Sequence, residues 1–569
     1  MSEPTRAPPA VLIALAAITL VACGLAASTW SVFGHTWDEP EHLAAGMALL
    51  DRGHYDFDIQ HPPLARLALA LGPYLAGARS QGIPPPDGKG EGIAILYGSG
   101  HYDRYLTLAR AGALPFLALL VIMTYAFARL ILSRPGSLLA AGFVATTPVV
   151  LGHGALATLD VPGAATCLLA LYAVQRWLRT GRLRDALWLG LATGLAVGTK
   201  LSAVPFVALG ALALAGVSIL DRSAHAATPA PAPRLWKWTG GLLVAGLATA
   251  VVLTAAYGGR FIYLTDETGR YNQALGYLFG YAGPMHDAAY AVGARVKVPE
   301  AFQLIVGGIE ALSVHNHSGH SSFLLGEVRN QGWWYFYPVA LAVKTPLPLL
   351  LLGLPGLALL ARDGIRAPDA MRLAPPVLFV VVLAFCSLYS HINIGVRHVL
   401  VLYPLLAVGA AALGVRVWGR IRARPAGAAR GAASAVLGAL LLWQAVVIVR
   451  SWPDYLPYFN ELVGEPRLVL VDSDLDWGQD FRRLTARLAA LHVPAVSLAY
   501  LGTADLAREP LPPYVRLKAD EHATGWVAVS ALARVHAPKR FDWLDAYRPR
   551  ERIGTSIDLY FVPPPPRSP

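Results

Sequence analysis

Residues 34–46 read GHTWDEPEHLAAG, with Asp38 and Glu39 side by side, Glu41 two residues on, and then His42. A carboxylate held rigidly within hydrogen-bond reach of an alcohol can take its proton as the oxygen attacks an electrophile. A plainer use is also open. A helix starting near Pro40 puts Asp38 at its N-terminal boundary, where a carboxylate caps free backbone N–H groups. On that helix His42, Gly46 and Leu49 share one stripe, and Glu41 looks out beside it. The Gly/Ala-rich face lets another group approach closely. Asp160, in LGHGALATLDVP, poses the same choice. It caps the next helix, whose Pro162 suits a first turn, or it faces Asp38 across a cavity.

The second set is basic. Lys200 lies in VGTKLSAVP, Lys344 in VALAVKTPLP and the pair Arg397-His398 in SHINIGVRHVLVLYP, all at edges of apolar runs or just inside them. Ionisable groups at such depths are costly and face a cavity or an anion, unless they snorkel to the interface. Three of them on one side of the membrane, with Gly or Pro nearby, favour an anion site. At headgroup depth that anion is a lipid phosphate. The His-rich stretches HYDFDIQH (54–61) and HNHSGH (315–320) lack a strong zinc spacing, so no metal is implied. DSDLDWGQD (472–480) alternates acids like a calcium loop, but Trp477 and Arg483 stand where an EF-hand needs Gly and Glu. It reads instead as an acidic turn at a strand end. A DxD nucleotide-sugar site would require nucleotide sugars, which are scarce outside the membrane where this segment is placed below.

The elements that position these residues are membrane helices. The chain has 569 residues, 55% hydrophobic and 15% charged, far below the charge of soluble domains. About eleven runs approach the length needed to cross a bilayer, near 10–30, 107–128, 136–151, 160–178, 185–199, 201–220, 238–257, 335–361, 374–390, 397–415 and 431–450. With the N-terminus inside, the inner loops hold 18 basic residues against five acids, the positive-inside pattern. The net charge of +11 therefore reports topology, and nucleic acid is not an expected partner. Long outer loops cover about 31–106 and 258–334. In the first, segment 64–78 is too short to span and carries Arg66, so an interfacial helix is expected. Cys23, Cys167 and Cys386 all lie in expected spans, leaving no disulfide framework outside. LVACG (20–24) resembles a lipoprotein-type cleavage site, but losing the first span would reverse the arginine parity. The inner stretch SAHAATPAPAPR (223–234) is low-complexity linker. From about 451 the tail holds 15 acids and 14 bases. Strand-like RLVLVDSD, helical FRRLTARLAAL, and strand-like GWVAVSAL and SIDLYFV predict a small α/β domain at 451–569 after a membrane module at 1–450.

Taken in order, WDEPEHLAAG, DFDIQHPPL, GTKLSA, GWWYFYPVALAVKTP, NIGVRHVLVLYP and DSDLDWGQD resemble the GT-C membrane glycosyltransferases. Within them the resemblance is to glycosyltransferase family 39, the protein O-mannosyltransferase and lipid A aminoarabinose transferase group. It covers the chain from end to end. It implies a mainly α, multi-pass protein of the cell (inner) membrane with an extracytoplasmic C-terminal α/β domain. The implied reaction moves a sugar from a polyprenyl-phosphate donor to a hydroxyl acceptor on the outer face, inverting the anomeric carbon, without nucleotide or cofactor. Asp38 matches the family's catalytic base, Glu39 its positioning neighbour and Asp160 the acid of the second outer loop. Lys200, Lys344, Arg397 and His398, with His61 and Arg66 of the first loop, are the candidates for the donor phosphate. Aminoarabinose-transferring relatives have Lys-Pro where this chain has His61-Pro62, a departure that speaks against that particular sugar.

Two other classes fit a polytopic chain: a transporter or flippase of lipid-linked sugars, and a non-catalytic lipid-binding protein. A transporter predicts ionisable residues near the midplane and two related halves. Here the charges gather at the outer edge.

Overall fold

The computed structural model describes residues 8–225, 235–265, 282–366, 369–517 and 521–564, so most of the low-complexity linker lies outside the described residues. Each of the eleven apolar runs is helical. Among the described residues, eight helices are long and apolar enough to cross a membrane, including Pro9–Ala27, Tyr102–Ala128, Leu402–Ala423 and Ala428–Ser451. Of the eleven expected spans, eight meet this measure of length and apolarity, a ninth meets it as a bent pair, and the other two fall short of it for physical reasons. Arg134–Ala145 and Pro148–Gly154 are broken by 64° ahead of Pro148, whose ring cannot continue the preceding turn. Leu183–Thr199 has only 17 residues. Asp160–Thr180 carries Asp160, Gln175 and two arginines and is buried along most of its length. A helix wrapped by protein rather than lipid does not need an apolar surface. The run 335–361 also divides, into Phe336–Lys344 and Leu347–Arg366, with Lys344 closing the first piece.

The arginine-rich turns gather at the opposite end of the bundle from the acids of interest. There Arg176 Nε lies 2.7 Å from Asp185 Oδ1, and Arg416 and Arg372 both pair with Asp363. At the other end, helix Glu39–Arg52 follows the first long helix and packs on Pro63–Leu75, the short helix expected at 64–78. Two glycines allow the close packing. A Cβ on Gly46 would stand 2.2 Å from the Arg66 carbonyl oxygen, and one on Gly92 would stand 1.9 Å from that of Pro40. Backbone therefore wedges this helix on two sides and leaves the Asp38 end little freedom.

The tail folds as a five-stranded mixed sheet in the order Tyr514–Arg516, Val496–Ala499, Gly525–Ser530, Ile557–Val562, Glu551–Ile553. The first three strands are parallel and the last two are antiparallel to their neighbours. Helix Phe481–Ala490 packs Phe481, Leu484 and Leu488 on one face of the sheet. GWVAVS and SIDLYFV form strands as expected, whereas RLVLVDSD does not. It makes two 3-10 turns, Pro466–Leu468 and Asp472–Asp474. Leu470 and Val471 are buried consecutively rather than alternately, and Asp472 takes φ 48°, a left-handed conformation that ends any extended run.

Candidate functional site

Asp38 occupies the N-cap position of helix Glu39–Arg52, yet its side chain makes no capping hydrogen bond. Asp38 Oδ2 instead accepts from Arg397 Nη1 at 2.8 Å. Arg397 also lies 3.7 Å from Asp160 Oδ2, and Asp160 Oδ1 accepts from Lys200 Nζ at 2.6 Å. Four residues from four helix ends thus form one chain of alternating charge. Asp38 is 23% exposed and Arg397 11%, so the chain is reachable at one end. Among the described residues, Asp160 Oδ2 and Arg397 Nε are buried without hydrogen-bond partners. Buried polar groups are as a rule paired, so these two atoms call for an explanation.

The quartet lines a cavity of about 320 Å³, together with His61, His398, Trp477 and Asp472. A second cavity of about 380 Å³ shares His61, Lys200 and His398 and is otherwise walled mainly by Pro205, Phe206, Phe385, Tyr389 and other apolar side chains. The two chambers therefore meet at His61, Lys200 and His398, with Gln60, Leu312 and Ile392 also shared.

Three of the candidates stand elsewhere. Glu39 is buried with both oxygens spent: on Arg110 Nε and Nη2 at 2.8 and 2.9 Å, on Ala157 N at 2.8 Å and on Thr36 N at 2.7 Å. Burial pushes its carboxyl up, but Arg110 and the N–H donors outweigh that and hold it below the ordinary value. Arg66 is also buried, donating to Tyr55 Oη at 2.7 Å, to the Asp58 carbonyl at 2.8 Å and to the Asp58 carboxylate. It folds the DFDIQHPPL loop and does not line either cavity. His61 is placed by the same Asp58, through Nδ1 at 2.8 Å. Lys344 donates to the carbonyls of Leu456 and Asp474 at 2.9 and 2.5 Å, tying the tail to the bundle. Its depth reflects a structural bond rather than a position facing the cavity. His42 accepts from Arg66 Nε at 3.2 Å, and Glu41 pairs with Lys89 at 3.4 Å.

Some lining residues escape sequence reasoning. The Trp477 ring lies 4.3 Å from the Arg397 guanidinium carbon, a cation–π contact that also flattens the guanidinium against the wall. Asp472 reaches the same cavity, and burial, opposed by Arg397, pushes its carboxyl up to about 7. His320 and His536 complete the rim, both lowered by burial. The sequence signal was the DSDLDWGQD motif itself, whose residues are both structural and cavity-facing. Among the described residues no group of three His, Cys, Asp or Glu is arranged to hold a metal ion.

A family model described as dolichyl-phosphate-mannose-protein mannosyltransferase matches residues 108–230, the segment carrying Asp160 and Lys200. No curated protein matches the chain significantly. Among solved structures, the chain aligns with ArnT from Cupriavidus metallidurans bound to undecaprenyl phosphate at 12% identity, covering 97% of this chain and 98% of that one, TM-score 0.47. Archaeal oligosaccharyltransferase AglB from Archaeoglobus fulgidus, in complex with an inhibitory peptide and a dolichol-phosphate, aligns at 13% identity over 91% and 62%, TM-score 0.44. The S. cerevisiae protein O-mannosyltransferase Pmt1-Pmt2 complex bound to the sugar donor aligns at 18% identity over 53% and 35%, TM-score 0.30. The family match, over residues 108–230, agrees with the resemblance read from the motifs and with the reading as a membrane glycosyltransferase.

Proposed function

We propose that this chain transfers a sugar from a polyprenyl-phosphate carrier to a hydroxyl acceptor on the extracytoplasmic face of the cell membrane, with Asp38 as the general base. The observation that carries the proposal is the use made of Asp38. Its carboxylate leaves the capping position open and enters a polar cavity on the arm of Arg397. The adjoining apolar cavity suits a prenyl chain, and the junction at Lys200, His61 and His398 suits its phosphate.

The chemistry follows from charge. As the C1–O bond to the carrier breaks, the leaving phosphate gains negative charge. Cations fixed beside it then bind the transition state more strongly than the ground state. Arg397 can grip two phosphate oxygens at once, and Lys200 adds a point charge. The acceptor oxygen attacks from the opposite face, its proton passing to Asp38, and the anomeric centre inverts. Asp38 and Asp160 pair with these same cations. An arriving phosphate competes for Arg397 and so frees the Asp38 oxygen for the acceptor. Glu39, Arg66 and Lys344 act by holding the loops and tail in place, and the tail at 451–569 is the extracytoplasmic domain.

Purified protein incubated with radiolabelled polyprenyl-phosphate sugars and hydroxyl acceptors is expected to consume one donor and label an acceptor. Binding of the whole panel with no transfer would leave only a lipid-binding role and overturn the proposal. For orientation, an enzyme reporter fused after residue 460 is expected to be active only outside, and cytoplasmic activity contradicts the topology.

A further inference from the structure

The loop DSDLDWGQD carries four aspartates, and three of them are spent on anchoring it. Asp474 Oδ1 accepts from Val396 N at 3.1 Å, beside Arg397. Asp476 Oδ2 accepts from Leu532 N at 2.8 Å. Asp480 Oδ2 accepts from Ser556 Oγ at 2.8 Å and Oδ1 from Arg483 at 3.1 Å. Lys344 adds its bond to the Asp474 carbonyl. Asp472 differs. Its carboxylate accepts one hydrogen bond among those described, from the neighbouring Ser473 N at 2.6 Å, and Asp472 stands in the wall of the transfer cavity. Its backbone is held at φ 48°, a conformation costly for a residue other than Gly and retained where the surroundings over-determine it. Segment 34–37 is paired to the same loop, through Gly34 N to Gln479 O and Trp37 N to Trp477 O, both at 3.0 Å. Asp38 and Asp472 are therefore carried by segments pinned to each other.

We infer that Asp472 is the proton relay of the transfer reaction, so that the C-terminal domain is a working part of the active site. This rests on the transfer reading with Asp38 as base. The acceptor O–H bond breaks as the new C1–O bond forms. The carrier phosphate leaves with the electron pair of the old C1–O bond, and the acceptor proton sits on Asp38. It then passes to ionised Asp472, which lines the same cavity, and from there to solvent, which restores Asp38 for the next turnover. Asp472 is suited to this because burial pushes its carboxyl up to about 7, so it holds the proton more tightly than an ordinary carboxylate. Arg397 lowers that value, and Asp38 and Asp474 raise it, among the charged and titratable groups around the cavity. Those groups are Asp38, His42, His61 and Lys89 from the first outer loop, Asp160 and Lys200 from the bundle, and His315 and His320 from the second loop. Arg397 and His398 before the next helix, and His536 and the adjacent Asp474 from the tail, complete them.

The test is the pH dependence of transfer by the full-length protein in detergent or nanodiscs, for wild type, Asp472→Asn, Asp472→Glu and Asp38→Asn. Asparagine is isosteric with aspartate and tolerates the left-handed backbone. Binding of the polyprenyl phosphate alone, measured in parallel, reports whether the cavity is intact. For wild type the rate is expected to rise with pH through about 7 as Asp472 ionises. In Asp472→Asn that rise disappears and the plateau falls by about 10-fold or more, with lipid binding kept, while Asp472→Glu restores part of both. A wild-type profile in Asp472→Asn overturns the relay. So does a loss of lipid binding accompanied by an unchanged profile, which makes Asp472 merely structural. If Asp38→Asn retains transfer while Asp472→Asn abolishes it, the assignment of Asp38 fails as well, and Asp472 is itself the base.

Discussion

Asp38 and Glu39 are sequence neighbours, and each is paired with an arginine, but the two pairs differ in burial and in how fully their atoms are used. Glu39 and Arg110 are each 1% exposed, and the carboxylate accepts from three further donors on Thr36 and Ala157. Asp38 and Arg397 are partly open, and among the described residues Arg397 Nε has no hydrogen-bond partner. A saturated pair holds a fold together. An unsaturated pair at the wall of a cavity has capacity left for a ligand. The same carboxylate–arginine pairing, one position apart, thus serves packing and chemistry, and what separates the two is the set of groups each one meets.

The comparison can be broken from either side. The largest expected effect is on folding: Glu39→Gln strands the Arg110 charge in the interior, and loss of one partner of such a pair costs about 3–5 kcal/mol. A thermal or denaturant unfolding measurement on Glu39→Gln should show that loss, whereas Asp38→Asn should unfold like wild type. Similar losses in both variants would erase the distinction. Next, Arg397→Lys keeps the charge but loses the fork and the fit over Trp477. A fall of roughly 10- to 100-fold in kcat/KM with little change in stability is expected. An unaltered kcat/KM would remove Arg397 from the site. Lys344→Met leaves two buried carbonyls short of a donor and should cost about 1–3 kcal/mol. Because Lys344 ties the tail, faster proteolysis of residues after 451 is the matching readout.

The smallest effect is on pH dependence. Glu39 is lowered in the folded state, so its stabilising contribution is present above the unfolded value of about 4.5 and is lost as pH falls through the lower, folded value. Acid unfolding curves should therefore be steeper below about pH 4.5 for wild type than for Glu39→Gln.

Much of this architecture is legible in sequence because lipid-facing helices and strand alternation are local patterns. The starts of helices Glu39–Arg52 and Phe481–Ala490 and both long tail strands follow from such patterns. What is not legible has a common cause in long-range pairing. Asp38 looks like a cap because the residue that claims it, Arg397, is 359 positions away. Arg66 and Lys344 look like phosphate ligands because an ionisable residue at depth needs a partner. Sequence cannot reveal that Tyr55, Asp58 and two carbonyls already supply those partners. RLVLVDSD has strand composition, but its last residues are bound to Val396 and Lys344 in the bundle rather than to a sheet edge.

The central claim is that Asp38 is there for chemistry, and single-turnover sugar transfer by Asp38→Asn tests it most directly, with polyprenyl-phosphate binding measured on the same preparation. The account predicts a transfer rate reduced by about 10²- to 10⁴-fold, the span expected for a lost general base, with binding retained. Transfer at the wild-type rate would contradict it.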